Sequence, residues 1–295
     1  VGQAVGMTAL AAVSASSDIS MLLIGFFTGL STGAGVLFAR YFGAGDRRNL
    51  HDAIHTALAF SLIAGTAIAL LGIVFTPQLL ALMNCPEDVF GEAAEYLRIY
   101  LAGILFTSIY NVGSGVLRAV GDSRTPFVYL VASSCCNIVL DLLLVAAFGM
   151  GVAGAAVATV ASQLLSVGLV FRRMLCTRDV YRLELKDLKL HGAMLREILR
   201  LGLPAAIQSS LIGLSNLFIQ RYINSFGSAA MAGMGAGKKI DRFVGMAAQC
   251  LGLAAATFVS QNVGARREDR AFRSIRTCCA LCAGYVLVVG GAVYA

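Results

Sequence analysis

The residues best placed to do chemistry are polar groups stranded in apolar sequence. Asp141 is the only carboxylate deep inside a predicted membrane span, Asn137 lies one helical turn before it, and Thr159 follows in the next span. A charge at that depth costs at least ~2.5–3.5 kcal/mol on insertion scales unless it is paired, protonated or hydrated. Asp141 is therefore read as functional. Residues four apart share a helix face, so the Asn137 amide reaches the carboxylate site or a bound ion. With a turn near Gly149, Asp141 lies ~12 Å and Thr159 ~15 Å below it at 1.5 Å rise per residue, nearly level on adjacent antiparallel helices. A carboxylate, an amide carbonyl and a hydroxyl are hard oxygen ligands that suit Na⁺, whereas a desolvated carboxylate alone suits a proton. Asp141, Asn137 and Thr159 are the expected cation-coupling set, with bound Na⁺ or H⁺ and no cofactor.

Other polar positions carry less. Gln208 and Asn216 either line a cavity or join helices by hydrogen bonds. Lys238, Lys239 and Asp241, with Arg221 and Arg242, fall at outer helix ends, where they snorkel, pair with Asp241 or face a water-filled cavity. The string His51-Asp-Ala-Ile-His55 approximates a zincin pattern with Asp in place of Glu, but no third ligand is evident. It is read as an interfacial basic face, and no metal is expected apart from Na⁺ at the coupling set. Gly43-Ala-Gly45 lacks the strand and the Lys-Ser/Thr tail of a phosphate cradle. Asp18 reads as a helix cap. Cys135, Cys136, Cys250, Cys278, Cys279 and Cys282 lie within or beside apolar runs and read as small buried thiols.

These side chains need a scaffold, and composition names its class. Of 295 residues 58% are apolar, only 13% are charged, 32 are Gly, and the mean hydropathy is +0.79. A soluble domain carries about 25% charged residues and about 7% Gly, so this is a polytopic helical membrane protein. Eight spans are predicted, at about 16–39, 52–76, 96–117, 126–148, 150–171, 202–223, 240–262 and 272–295. Pro126 and Pro204 are placed near helix starts, where a missing N–H costs least. No His lies deep in a span, which argues against an enzyme. The net charge of +7 does not imply nucleic acid, because eighteen of the 23 Lys and Arg flank alternate connections. That asymmetry puts those connections on the cytoplasmic side.

The chain also repeats itself. A shift of 221 residues aligns Gly6-Met-Thr-Ala-Leu-Ala11 with Gly227-Ser-Ala-Ala-Met-Ala232, Ile19 with Ile240, Phe42-Gly-Ala44 with Val263-Gly-Ala265, and Thr56 with Thr277. Six spans separate equivalent points, so the copies have parallel topology. The repeat implies a parent of twelve helices in two six-helix lobes, with one helix before Val1 and three after Ala295.

The sequence resembles the multidrug and toxic compound extrusion (MATE) family of membrane antiporters over nearly its whole length. The resemblance rests on Ala39-Arg-Tyr-Phe-Gly-Ala-Gly-Asp46, Ser260-Gln-Asn-Val-Gly-Ala265, Leu117-Arg-Ala-Val-Gly-Asp-Ser-Arg-Thr-Pro126, Asn137-Ile-Val-Leu-Asp141, Gly149-Met-Gly-Val-Ala-Gly-Ala-Ala-Val-Ala-Thr159 and Gly202-Leu-Pro204. It implies a twelve-helix exporter with a V-shaped central cavity, of which this chain holds helices two to nine. Residues 1–172 would be the N-terminal lobe, 173–201 a cytoplasmic linker and 202–295 the start of the C-terminal lobe. The resemblance also implies that Asn137, Asp141 and Thr159 match the cation set of the DNA-damage-inducible-F-like branch, whose fourth member, an Asp on the first helix, would precede Val1. Another branch uses an acidic residue in helix seven, but 202–223 has none. The expected activity is cation-coupled export of small organic, cationic or amphipathic compounds by alternating access. The rival is a lipid-linked glycan flippase of related fold, which a cavity rich in Arg and Lys would favour. The expected setting is the cytoplasmic membrane, as a monomer among lipids.

Overall fold

Long apolar runs with few charges can satisfy their backbone in lipid only as helices, and the computed structural model, which describes residues 7–82, 87–224 and 228–294, is helical along all of its apolar runs. The side chains of residues 7–19 and most of those between 220 and 243 lie outside that description. The elements are α1 (Met7–Ala44), α2 (Arg47–Val74), α3 (Thr76–Leu82), α4 (Glu87–Ala119), α5 (Arg124–Asp141), α6 (Gly151–Cys176), α7 (Gly192–Asn224), α8 (Ser228–Gly264) and α9 (Glu268–Tyr294). A single π-helical turn, Leu142–Ala147, extends α5. Among the described residues eight helices are long and apolar enough to cross a membrane. The short α3 is the element that hydropathy alone did not separate.

Two stacked cores hold α1, α2, α4 and α6 together. Phe38, Leu50, Ile54, Leu117 and Met174 pack the inner one, and Phe27, Leu80, Leu97, Leu101 and Ile104 the outer one. Helix α1 also meets α7 along a stripe of small residues. Gly25 faces Ser209, Gly29 faces Ala206 and Gly33 faces Gly202, antiparallel. A Cβ at Gly29 or Gly33 would collide with the backbone of α7. Small residues at such spacing let helix backbones touch where lipid supplies no hydrophobic force between helices.

The repeat is written into hydrogen bonds. Helix α1 ends in a Schellman cap, with Gly45 N–H bonded to Phe42 O at 3.1 Å and Asp46 N–H to Tyr41 O at 3.0 Å. The α8 cap is the same motif displaced by 221 residues: Arg266 N–H to Val263 O at 3.0 Å and Arg267 N–H to Asn262 O at 2.8 Å. Gly45 (φ +70) and Arg266 (φ +55) occupy the same left-handed position. The helices also touch reciprocally. Gly43 abuts the Gln261 carbonyl and Gly264 abuts the Arg40 carbonyl, residues again related by the shift. Contacts of i with j and of j with i are what a two-fold relation imposes. After the first cap, Asp46 accepts from the Asn49 N–H at 3.1 Å and its side-chain amide at 2.6 Å. Those bonds hold the Asp46 carboxyl below its ordinary range. The cap is therefore intact above that range and lost as pH falls through the lowered value.

Three expectations are corrected. Pro204 is not near a helix start but inside α7, which begins at Gly192 with an amphipathic stretch that hydropathy underrates. For the same reason the irregular connection is residues 177–191, not 173–201, since α6 continues to Cys176. The thiols of Cys135, Cys250 and Cys279 are exposed and those of Cys136, Cys278 and Cys282 half-buried, all free, because their helices turn these faces out of the packed core.

The two caps make a clean test of backbone strain. A Cβ at Gly45 meets nothing within 4 Å, so Gly45→Ala should cost only conformational energy, about 1–2 kcal/mol. Arg266→Gly removes the same strain and should not lower stability. Thermal unfolding of the two variants in detergent checks this; equal losses would contradict it.

Candidate functional site

Helix α6 carries Thr159, Ser162, Gln163 and Ser166, a helical polar stripe in an apolar span, and α5 carries Ser133 and Asn137 four apart. Both stripes turn inward. With Thr28 of α1 and Tyr110 and Asn111 of α4 they line a cavity of about 300 Å³. Several hydroxyls spend their protons on their own helices: Thr159 on Ala155 O (2.9 Å), Ser162 on Thr159 O (2.7 Å), Ser166 on Ser162 O (3.2 Å) and Ser133 on Leu130 O (3.0 Å). A hydroxyl bonded this way offers its environment lone pairs only. Asn137 Nδ2, Asp141 Oδ1 and Gln163 Oε1 are buried without a hydrogen-bond partner. Among the described residues no Lys or Arg lines the space. The cavity is thus rich in acceptors and has unmet hydrogen-bonding capacity, which fits a cation.

The structure brings Asn137 and Thr159 together on this cavity but does not place Asp141 in its wall. Asp141 sits one turn further along α5, half-buried, at the junction with the π turn. It lies within electrostatic range of Tyr96 on α4, whose ring stacks on Tyr100 at 6.0 Å. The π turn is closed by Phe148 N–H to Leu143 O at 2.9 Å, and Met150 N–H reaches Leu144 O at 2.9 Å. Such turns shift the register of a helix, often at functional sites. Gln208 and Asn216 are exposed on one face of α7, where they share a shallow apolar concavity with Pro204, Leu211 and Ser215. Lys238, Lys239 and Asp241, with Arg221 and Arg242, have side chains outside the described residues, as does Asp18. Gln163, Ser162 and Ser166 were missed, although their spacing from Thr159 was visible in the sequence.

The His51–His55 pair is not an interfacial basic face. His55 is fully buried. Its Nδ1 donates to His51 O at 2.7 Å, and its Nε2 accepts the Glu184 N–H at 3.0 Å. That pattern requires a neutral ring. Beside it Thr56 accepts the His191 N–H at 3.2 Å, and Leu183 is buried in the inner core. The pair anchors the 177–191 connection to α2. Among the described residues no three His, Cys, Asp or Glu side chains cluster as metal ligands.

Membrane-length helices, a parallel repeat and an acceptor-lined cavity between spans together form the parallel-repeat architecture that membrane transporters use. The MatE family model matches residues 1–143 and 204–295, and the chain belongs to that family. It is 34% identical over 283 residues to a protein of Bacillus subtilis (strain 168) named "Probable multidrug resistance protein YoeA", covering 94% of this chain and 61% of that one. A solved structure described as the outward-facing conformation of a multidrug resistance MATE family transporter of the MOP superfamily matches with TM-score 0.88 at 26% identity. The match covers 98% of this chain and 64% of that one. The corresponding inward-facing conformation matches with TM-score 0.74 at 27% identity, covering 96% and 64%.

Since Asp141 keeps a buried oxygen without a partner, removing its charge should not harm the fold. Asp141→Asn should insert normally and unfold in detergent at the wild-type temperature or above, since an uncompensated buried charge costs free energy. A clear loss of thermal stability would show that the carboxylate holds the structure together.

Proposed function

We propose that the full-length protein is a cation-coupled exporter of small organic, cationic or amphipathic compounds, lodged in the cytoplasmic membrane and working by alternating access. The observation that carries this reading is the cavity between α1, α4, α5 and α6, where hydroxyl lone pairs and the unpartnered Gln163 Oε1 and Asn137 Nδ2 face one another with no basic side chain among the described residues of the wall. Asn137 and Thr159 supply oxygen ligands there. Asp141, one turn away, supplies the charge that a moving cation requires. Protonation or Na⁺ binding at this set neutralises a charge that is costly in the membrane, and that energy is available to bias one orientation of the lobes over the other. The name borne by the Bacillus relative supports the substrate class. Driving cation and exported compound act as opposed cargoes, with no resident cofactor.

The test is export in proteoliposomes under imposed Na⁺ and pH gradients. Asp141→Asn should abolish gradient-driven export while leaving the protein inserted. Thr159→Ala should retain part of it, because losing one neutral ligand costs about 1–3 kcal/mol at most. Wild-type export by Asp141→Asn would refute the coupling role.

A further inference from the structure

The cytoplasmic ends of α1, α4 and α8 meet at one point that ion coupling does not explain. There Gly43 and Gly264 allow the last turns of α1 and α8 to cross with backbones in contact. Gln261 of α8 sends its Nε2 to the carbonyl of Ala119, the last residue of α4, at 2.7 Å across 142 residues of sequence. Ala119 is buried, and the final carbonyls of a helix have no partner within it. The Gln261 amide therefore joins the second repeat to the first where the inner end of α8 touches it. Three basic connections flank this point, through Arg47 and Arg48, Arg124, and Arg266 and Arg267. The whole chain lies nearer the outward-facing solved conformation than the inward-facing one, the state in which a cytoplasmic contact is closed.

We propose that Gln261 is the positioning residue of a cytoplasmic gate. Its amide holds the Gly43–Gly264 crossing shut in the outward-facing form, and this bond must break for the cytoplasmic side to open. The proposal rests on the transport reading for its purpose, but its geometry is independent of any ion or substrate. Two features define the latch. It needs a donor at position 261, because the group it meets is a carbonyl. It also needs small residues at 43 and 264, because each of those glycines faces backbone of the other helix. The mate of Gln261 in the first repeat is Arg40, also a long donor.

The experiment measures distances between spin labels at Arg48→Cys and Glu268→Cys, both exposed at the starts of α2 and α9, in the full-length protein with its native cysteines replaced. Without gradient or substrate, wild type should show mainly the short distance. Gln261→Glu, which keeps the shape but sets an acceptor against the carbonyl, should raise the open-to-closed ratio about tenfold, as should Gln261→Met, which has no polar group. Gln261→Arg should restore the short distance. Unchanged distances in both donor-free variants would overturn the proposal. So would an equal opening in Gln261→Arg, since the effect would then be one of packing. Should wild type respond as stated yet fail to export under any cation gradient, the coupling reading falls and the gate stands.

Discussion

Everything in this molecule depends on how closely α1 can approach its neighbours. Lipid gives helices no hydrophobic reason to associate, so cohesion rests on packing at short range. Helix α1 secures it with glycines on successive turns: Gly25, Gly29 and Gly33 against α7, then Gly43 against α8. The same helix brings Phe27 and Phe38 to the two cores and Thr28 to the polar cavity. Move α1 outward by the width of one side chain, and the seam, the inter-repeat crossing and the cavity wall all shift together.

The cavity reverses the usual amphipathic logic of a helix. In water, polar stripes face out; here Ser133 and Asn137 on α5 and Thr159, Ser162, Gln163 and Ser166 on α6 face in, and large apolar residues such as Phe127, Ile138 and Leu164 face out. The hydroxyl protons are already committed to backbone carbonyls, so the interior has negative character without formal charge apart from Asp141 beside it. Neutral ligands hold a cation less tightly than a cage of carboxylates would, which is what the proposed coupling role asks of this cavity.

Much of this was legible in the sequence, and the failures have physical causes. Hydropathy marked the eight spans, and the displacement by 221 residues reappears bond for bond in the helix caps and in the Gly43–Gln261 and Gly264–Arg40 contacts. Asn137 and Thr159 line the same cavity, since spacing and turn position set their depth. That the cavity wall stops at Asn137 and leaves out Asp141, one turn further along the same regular helix, was not visible, because the extent of a cavity depends on how neighbouring helices pack and not on spacing within one. Pro204 and the ends of the inter-repeat connection were misplaced because α7 starts in amphipathic sequence, below the apolar threshold of a span. His55 was taken for surface because its partner, the Glu184 N–H, lies 129 residues away. The glycine stripe was legible as Gly-x-x-x-Gly-x-x-x-Gly but needs a facing helix to acquire meaning.

The most direct measurement compares side-chain volume at two glycines of one helix. Gly33 faces the α7 backbone, whereas a Cβ at Gly35 meets nothing within 4 Å. Ala and then Val at each position, followed by thermal unfolding of the full-length protein in detergent, isolate close approach from helix propensity, which changes in the same way at both sites. The account predicts a graded loss of stability at position 33 and none at position 35, where Ala should stabilise slightly. Equal tolerance at both positions would contradict the claim that backbone contact along α1 holds the fold.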